Sequence, residues 1–357
     1  MALFGAAAQA NPTQGDISKD VELKMPPGTD SVSHIQFSPV ADHIAVASWD
    51  NAVRIYEIDP QGNSQGKAEI KMDGPALSTC FSNDGQYVFA AGADKTVKVL
   101  DLANPGAAPV SIAQHDQPIK CIKWADVGGQ QCLVTGSWDK TIKYWDPRTQ
   151  NPLATYENQN RVYTMDCHQN LLVVGTADRY INIFNLKGDP SKPYKTMQSP
   201  LKWQTRVVSC FTDASGFAVG SIEGRCAIQY VEEKDSASNF SFKCHRANDP
   251  TQRDVAKVYS VNAISFHRQH GTFSTAGSDG TFHFWDKDAK HRLKGYPEVG
   301  GPITSTDFNH SGSIFAYAVS YDWSKGYTGN QATMPTKVML HPVIGDECKP
   351  RPNSKKR

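Results

Sequence analysis

Gly136-Ser137-Trp138-Asp139-Lys140-Thr141-Ile142-Lys143-Tyr144-Trp145-Asp146 decides how this 357-residue chain folds. A small residue and an acid end one strand, a tight turn follows, and a second alternating strand closes on Trp-Asp. The acid suits the turn because its carboxylate can accept nearby backbone N–H groups. Working outward, the same unit returns as Ile44-Ala45-Val46-Ala47-Ser48-Trp49-Asp50 followed by Val53-Arg54-Ile55-Tyr56-Glu57-Ile58, and as Gly277-Ser278-Asp279-Gly280-Thr281-Phe282-His283-Phe284-Trp285-Asp286. Aligned on the turn acid, the copies fall at Asp50, Asp94, Asp139, Asp178, Glu223, Asp279 and Asp322, spaced by 44, 45, 39, 45, 56 and 43 residues. Two copies end in a literal Trp-Asp pair, and others degrade to Leu100-Asp101 or Phe184-Asn185.

This period and pattern resemble the WD-repeat class, whose blades run to about 40–45 residues. The expected fold is therefore all-β, a seven-bladed WD-repeat β-propeller. A small sheet with two apolar faces cannot bury both alone, and radial packing covers them. A circle must also close. The alternating segment Asp16-Ile17-Ser18-Lys19-Asp20-Val21-Glu22-Leu23-Lys24 reads as the outer strand of the last blade, beside Thr336-Lys337-Val338-Met339-Leu340. The propeller is expected over residues 16–348. An Ala/Gln/Asn-rich extension, 1–15, is expected to be disordered. A basic tail over 349–357 is either a solvated end or an import or RNA-touching segment.

Charge is nearly balanced, 37 Lys plus Arg against 36 Asp plus Glu, so nucleic acid would have to be met by a local patch. The eight cysteines form no CxxC pair, and reduced, mostly buried thiols are expected. No apolar run approaches the ~18 residues of a membrane span, and no membrane contact is expected. The eleven histidines are dispersed. Cys244-His245 lacks zinc spacing to Cys348 or His341, and no nucleophile elbow, zincin motif or phosphate loop occurs. No catalytic residue, metal or cofactor is expected; the chain reads as a binding platform rather than an enzyme.

In a propeller the turns that carry the acids share one face. The residue before each acid reads Trp49, Ala93, Trp138, Ala177, Ile222, Ser278, Tyr321. Aromatic residues there suit interface anchors, and packing between blades is the competing reading. Two residues past each acid the column reads Ala52, Thr96, Thr141, Tyr180, Arg225, Thr281, Ser324, with Arg225 its sole charge. A guanidinium near the channel mouth fits a bidentate carboxylate of a partner. An internal salt bridge to Glu223 or another turn acid is the alternative reading.

Beyond the general pattern, Ser221-Ile222-Glu223-Gly224-Arg225, Phe240-Ser241-Phe242-Lys243-Cys244-His245-Arg246 and Val261-Asn262-Ala263-Ile264-Ser265-Phe266-His267 follow one another. This succession, with the long 56-residue spacing, resembles two related propeller families. One is the nuclear-pore-associated messenger-RNA export factors (the Rae/Gle type), the other the mitotic-checkpoint adaptors (the Bub type). Phe315-Ala316-Tyr317-Ala318-Val319-Ser320-Tyr321-Asp322-Trp323-Ser324-Lys325-Gly326 and the N-terminal extension look like the export type.

The resemblance implies a monomeric propeller that pairs with an acidic GLEBS hairpin of a GLFG-repeat nucleoporin, at the nuclear pore. Arg225, Glu223, Trp49, Trp138, Tyr321 and Trp323 are the residues expected to meet the hairpin. It also implies single-stranded RNA contact through Phe242, Trp285, Lys287, Lys290 and Arg292, where cations would hold phosphates and rings stack bases. The other family would instead imply a checkpoint scaffold that binds checkpoint-kinase hairpins.

Overall fold

The computed structural model describes residues 13–149, 151–252 and 254–351. Within them lie seven four-stranded antiparallel sheets and one two-stranded sheet. Blade 1 comprises Val32–Phe37, His43–Ser48, Ala52–Ile58 and Ser64–Lys71; blade 2, Ala76–Phe81, Tyr87–Gly92, Thr96–Asp101 and Val110–Gln114. Blade 3 is Ile119–Val127, Gln130–Ser137, Thr141–Trp145 and Ala154–Glu157, and blade 4 Val162–His168, Leu171–Thr176, Tyr180–Asn185 and Lys195–Gln198. Blade 5 is Thr205–Cys210, Gly216–Ser221, Arg225–Tyr230 and Phe240–Lys243, and blade 6 Val261–Phe266, Phe273–Gly277, Phe282–Asp286 and His291–Gly295. Blade 7 takes Ile303–Phe308, Ile314–Val319 and Lys337–Pro342 from the end of the chain, and its outer strand, Val21–Glu22, from the beginning.

The closure pairs Val21 with Leu340 and Glu22 with Met339, and Leu23 N–H adds a 2.8 Å bond to the Val338 carbonyl. Blade 7 is then joined to blade 1 through its polar side chains. Val32 and Ile35 N–H donate to Ser320 and Ser305 Oγ at 3.0 Å each, and Phe37 N–H to Asp307 Oδ2 at 2.7 Å. Most of the extension expected to be disordered, residues 1–12, lies outside the described residues, as do 352–357 of the basic tail. Residues 13–15 depart from that expectation. Gly295 N–H donates to Thr13 O, and Gly15 N–H to Gly295 O, both at 2.9 Å, so the chain enters along the edge of blade 6.

There is no single core. Seven apolar clusters each fill the wedge between two neighbouring blades, such as Val134, Ile142 and Tyr144 of blade 3 against Leu172, Val174 and Phe184 of blade 4. This accounts for the glycine three positions before the turn acid in blades 3 and 5. A Cβ on Gly136 would stand 2.8 Å from Val162 Cγ1 of the next blade, and one on Gly220 2.9 Å from Val261 Cγ1. Each turn itself demands a left-handed residue just after its acid. Asn51, Lys95, Lys140, Arg179, Gly224, Gly280 and Trp323 all have φ between 58° and 74°.

The 56-residue spacing has a specific origin. The strand Phe240–Lys243 is an ordinary outer strand; the extra length is a hairpin, Arg246–Asn248 paired with Ala256–Val258, between blades 5 and 6.

Candidate functional site

The acid-bearing turns and the connections from outer to next inner strand share one face of the ring, here the top. Four of the acids do what the sequence suggested: Asp94, Asp139, Asp279 and Asp322 each accept the backbone N–H two residues on, at 2.9–3.2 Å. In blades 3 and 6 the acid belongs to a buried relay. His115 Nδ1 meets Asp139 at 2.8 Å and Nε2 meets Thr135 Oγ1 at 2.6 Å, while Trp145 N–H donates to the same hydroxyl at 2.9 Å. His245, Asp279, Thr275 and Trp285 repeat it at 2.9, 3.0 and 2.9 Å. His245 is thus committed to the scaffold. So is the indole N–H of Trp285, expected among the RNA contacts.

Arg225 and Glu223 stand at the top of blade 5. They line a surface pocket of about 410 Å³ with Leu201, Lys202, Lys243 and Arg246. Arg246 is spent on the turn, donating to the Glu223 carbonyl at 2.6 Å and to the Gly224 carbonyl at 3.2 Å. Gly224 is required there, because its φ is 61° and a Cβ would sit 2.7 Å from the Cys244 carbonyl oxygen. Arg225 is half-buried, and among the described residues its guanidinium has no hydrogen-bond or ion-pair partner. The internal salt bridge to Glu223 is not formed. One carboxylate and four cations line this pocket, which leaves it with a net positive charge.

Beside it, Trp203 is 59 % exposed and Ile222 36 %, and Ile222 N–H is bonded to Gln204 O. Lys202, Trp203, Lys243 and Arg246 were not assigned from sequence. Lys202 and Trp203 lie in an irregular connection where no repeat column exists to mark them.

The aromatic column divides. Trp49 and Trp323 stack at 4.0 Å across the blade 7–blade 1 junction, and with Trp138 they line the mouth of a channel of about 850 Å³. Trp138 and Trp323 Nε1 are buried without acceptors in the described residues. Tyr321, in contrast, is 3 % exposed, and its hydroxyl donates to Gly326 O and accepts from Lys325 N, closing the long blade 7 loop. Tyr321 is therefore a loop brace and not an exposed anchor. The hairpin candidates share the top face but form two centres, an aromatic one at the channel mouth and a basic one over blade 5.

The blade 6 stretch is corrected in the same way. Lys287 is buried, ion-paired with Asp288 at 2.8 Å, and lies over the rings of Phe211 (5.1 Å) and Tyr230 (5.9 Å). It packs the blade 5–6 wedge, and its ammonium is already paired. Phe242 is half-buried, 4.5 Å from Trp285. Lys290 and Arg292 are exposed, with Lys290 Nζ 4.9 Å over the Phe240 ring.

A closed ring of four-stranded blades with histidine–acid relays and recognition groups gathered on its turn face defines a WD-repeat propeller. Residues 22–57, 71–101, 109–146 and 254–286 match the family described as "WD domain, G-beta repeat". Across 99 % of both chains the sequence is 63 % identical to the "mRNA export factor GLE2" of Chaetomium thermophilum. It is 52 % identical to the "Poly(A)+ RNA export protein" of Schizosaccharomyces pombe, again over 99 % of each. The chain belongs to this family of WD-repeat mRNA export factors. The solved structure titled "Structure of U3-55K" has the same fold, with a TM-score of 0.75 over 91 % of this chain and 98 % of that one, at 14 % identity.

Proposed function

We propose that this protein is a non-enzymatic adaptor that supports mRNA export at the nuclear pore. Its top face grips the acidic GLEBS hairpin of a GLFG-repeat nucleoporin, and blade 6 touches RNA. The observation that carries the hairpin reading is Arg225, a half-buried cation left without a partner in a pocket that also holds Lys202, Lys243 and Arg246. A partly buried cation of this kind gains when a counter-charge arrives, and a glutamate of the hairpin supplies one. The exposed Trp203 and Ile222 offer apolar contact beside it. Relatives named for export of mRNA and poly(A)+ RNA support the export role.

The test is to titrate one nucleoporin hairpin and one checkpoint-kinase hairpin against the protein side by side. Binding to the nucleoporin hairpin at least tenfold tighter is expected. Preference for the kinase hairpin would make the protein a checkpoint scaffold instead.

A further inference from the structure

Every blade carries the same irregularity at the top of its first strand. Pairing with the second strand slips there by one residue, and the residue left over in blades 1 to 7 is Ser33, Leu77, Lys120, Tyr163, Arg206, Asn262 and Thr304 in turn. A bulge re-aims the side chain it carries, and all seven line the central channel, as do Trp49, Trp138 and Trp323 at its mouth. Two members of this ring are cations and none is an acid.

Arg206 is held in place: Nη2 donates to the Asp322 carbonyl at 2.9 Å and Nε to Asn262 Oδ1 at 3.3 Å. Its Nη1, the Lys120 ammonium and the Tyr163 hydroxyl have no partner among the described residues. Burial and the Arg206 charge pull Lys120 below its ordinary range, so the two cations stand within reach of each other. His34, one residue past the blade 1 bulge, accepts the Thr79 N–H at Nδ1 at 3.3 Å. Burial and the charges of Lys123 and Lys120 push its imidazole down to about 3. It is therefore neutral, with its hydrogen on Nε2 as a donor.

The acids of the channel are engaged elsewhere. Asp322 accepts the Ser278 hydroxyl and the Ser324 N–H. Asp166 and Asp307 lie three residues past the bulges of their strands, about 10 Å further along the channel. Asp166 is paired with Lys123 at 2.9 Å, and Asp307 accepts the Phe37 N–H at 2.7 Å.

We propose that this ring binds the phosphate group of a small molecule, between Lys120, Tyr163 and Arg206 of three consecutive blades and the His34 imidazole of blade 1. A fixed guanidinium edge, an ammonium and two neutral donors come from different sides of the channel. That suits an anion with oxygens all round it better than a planar carboxylate. The channel, about 850 Å³, admits such a group without movement of the blades.

The experiment is a calorimetric titration of the full chain with inorganic phosphate at constant ionic strength, with chloride as the control and thermal melts of the same samples. Phosphate should bind at a single site and raise the wild-type melting temperature. Lys120→Met should weaken binding roughly 10- to 100-fold, as loss of a charge-assisted bond does. Its melting temperature in chloride should not fall, because an unpaired, partly buried cation has been removed. Tyr163→Phe, which removes one hydroxyl, should weaken binding roughly 2- to 10-fold. Lys187→Met, in the exposed connection after Tyr180–Asn185, should match wild type.

Wild-type affinity in both Lys120→Met and Tyr163→Phe would overturn the site, as would equal losses with Lys120→Met and Lys187→Met. Failure of the wild type to bind phosphate would do the same. The titration is repeated with the nucleoporin hairpin present. If the hairpin displaces phosphate and Lys120→Met weakens the hairpin equally, the ring receives a hairpin carboxylate and the phosphate proposal falls.

Discussion

Thr135 and Lys287 show how far a single side chain's task can lie from its appearance in sequence. The Thr135 hydroxyl serves both the His115 imidazole and the Trp145 indole inside blade 3. Thr135→Val keeps the shape but strands two buried polar groups, each worth ~1–3 kcal/mol. A loss of about 2–4 kcal/mol in urea unfolding is expected, and a loss near zero would show that the relay is ornamental. Lys287 sits where strand alternation ends, so period two gave no sign that it turns inward over Phe211 and Tyr230. Lys287→Glu should therefore lower the melting temperature by several degrees, whereas Lys290→Glu should not. Equal melts for the two variants would contradict this assignment. Arg225 was legible for the opposite reason: it alone breaks a column of uncharged residues in a repeat.

The elements that fasten the ring are the strand Val21–Glu22 and the segments on either side of blade 7's last strand. Asp20 ties them together, accepting from His341 Nδ1 and from the Tyr317 hydroxyl at 2.6 Å each, while His341 Nε2 lies 3.3 Å from Glu347. Burial alone would push the His341 imidazole below its ordinary range. The hydrogen bonds and charges of Asp20 and Glu347 outweigh burial and raise it from 6.5 to about 9. A folded-state value above the unfolded one contributes fully below about pH 6.5 and is lost as pH rises through 9.

The stability difference between wild type and His341→Gln should accordingly be greatest at or below pH 6.5 and shrink by on the order of 3 kcal/mol above pH 9. A difference independent of pH would mean that the cluster is held by packing alone. Deleting residues 1–24 frees the edge of Lys337–Pro342 and should promote aggregation as well as melting. Deleting 1–15, which gives up the Gly295 contacts, should cost far less. Closure could be read in advance because a ring of seven leaves one outer strand unaccounted for. The hairpin over 246–258 could not, since its Asn-Asp-Pro-Thr stretch resembles any loop.

At the scale of the whole molecule, the repeat made the ring legible, and with it the face on which the turns gather. What the repeat could not convey was which members of a column are spent internally. Tyr321 braces its own loop, Trp49 and Trp323 stack on each other, and Arg225 keeps an uncommitted charge among the described residues. The top face thus carries two centres on one ring, and a partner long enough to touch both would gain from each.

The most direct measurement is the affinity of the nucleoporin hairpin for Arg225→Ala, taken with a thermal melt of the same variant. Truncating a central, desolvated arginine typically costs ~2–4 kcal/mol of binding. Weakening of roughly 30- to 1000-fold is expected, with the melt unmoved and Arg225→Asp worse still. Intact hairpin affinity, whether or not the melt shifts, would contradict the account and return Arg225 to the scaffold.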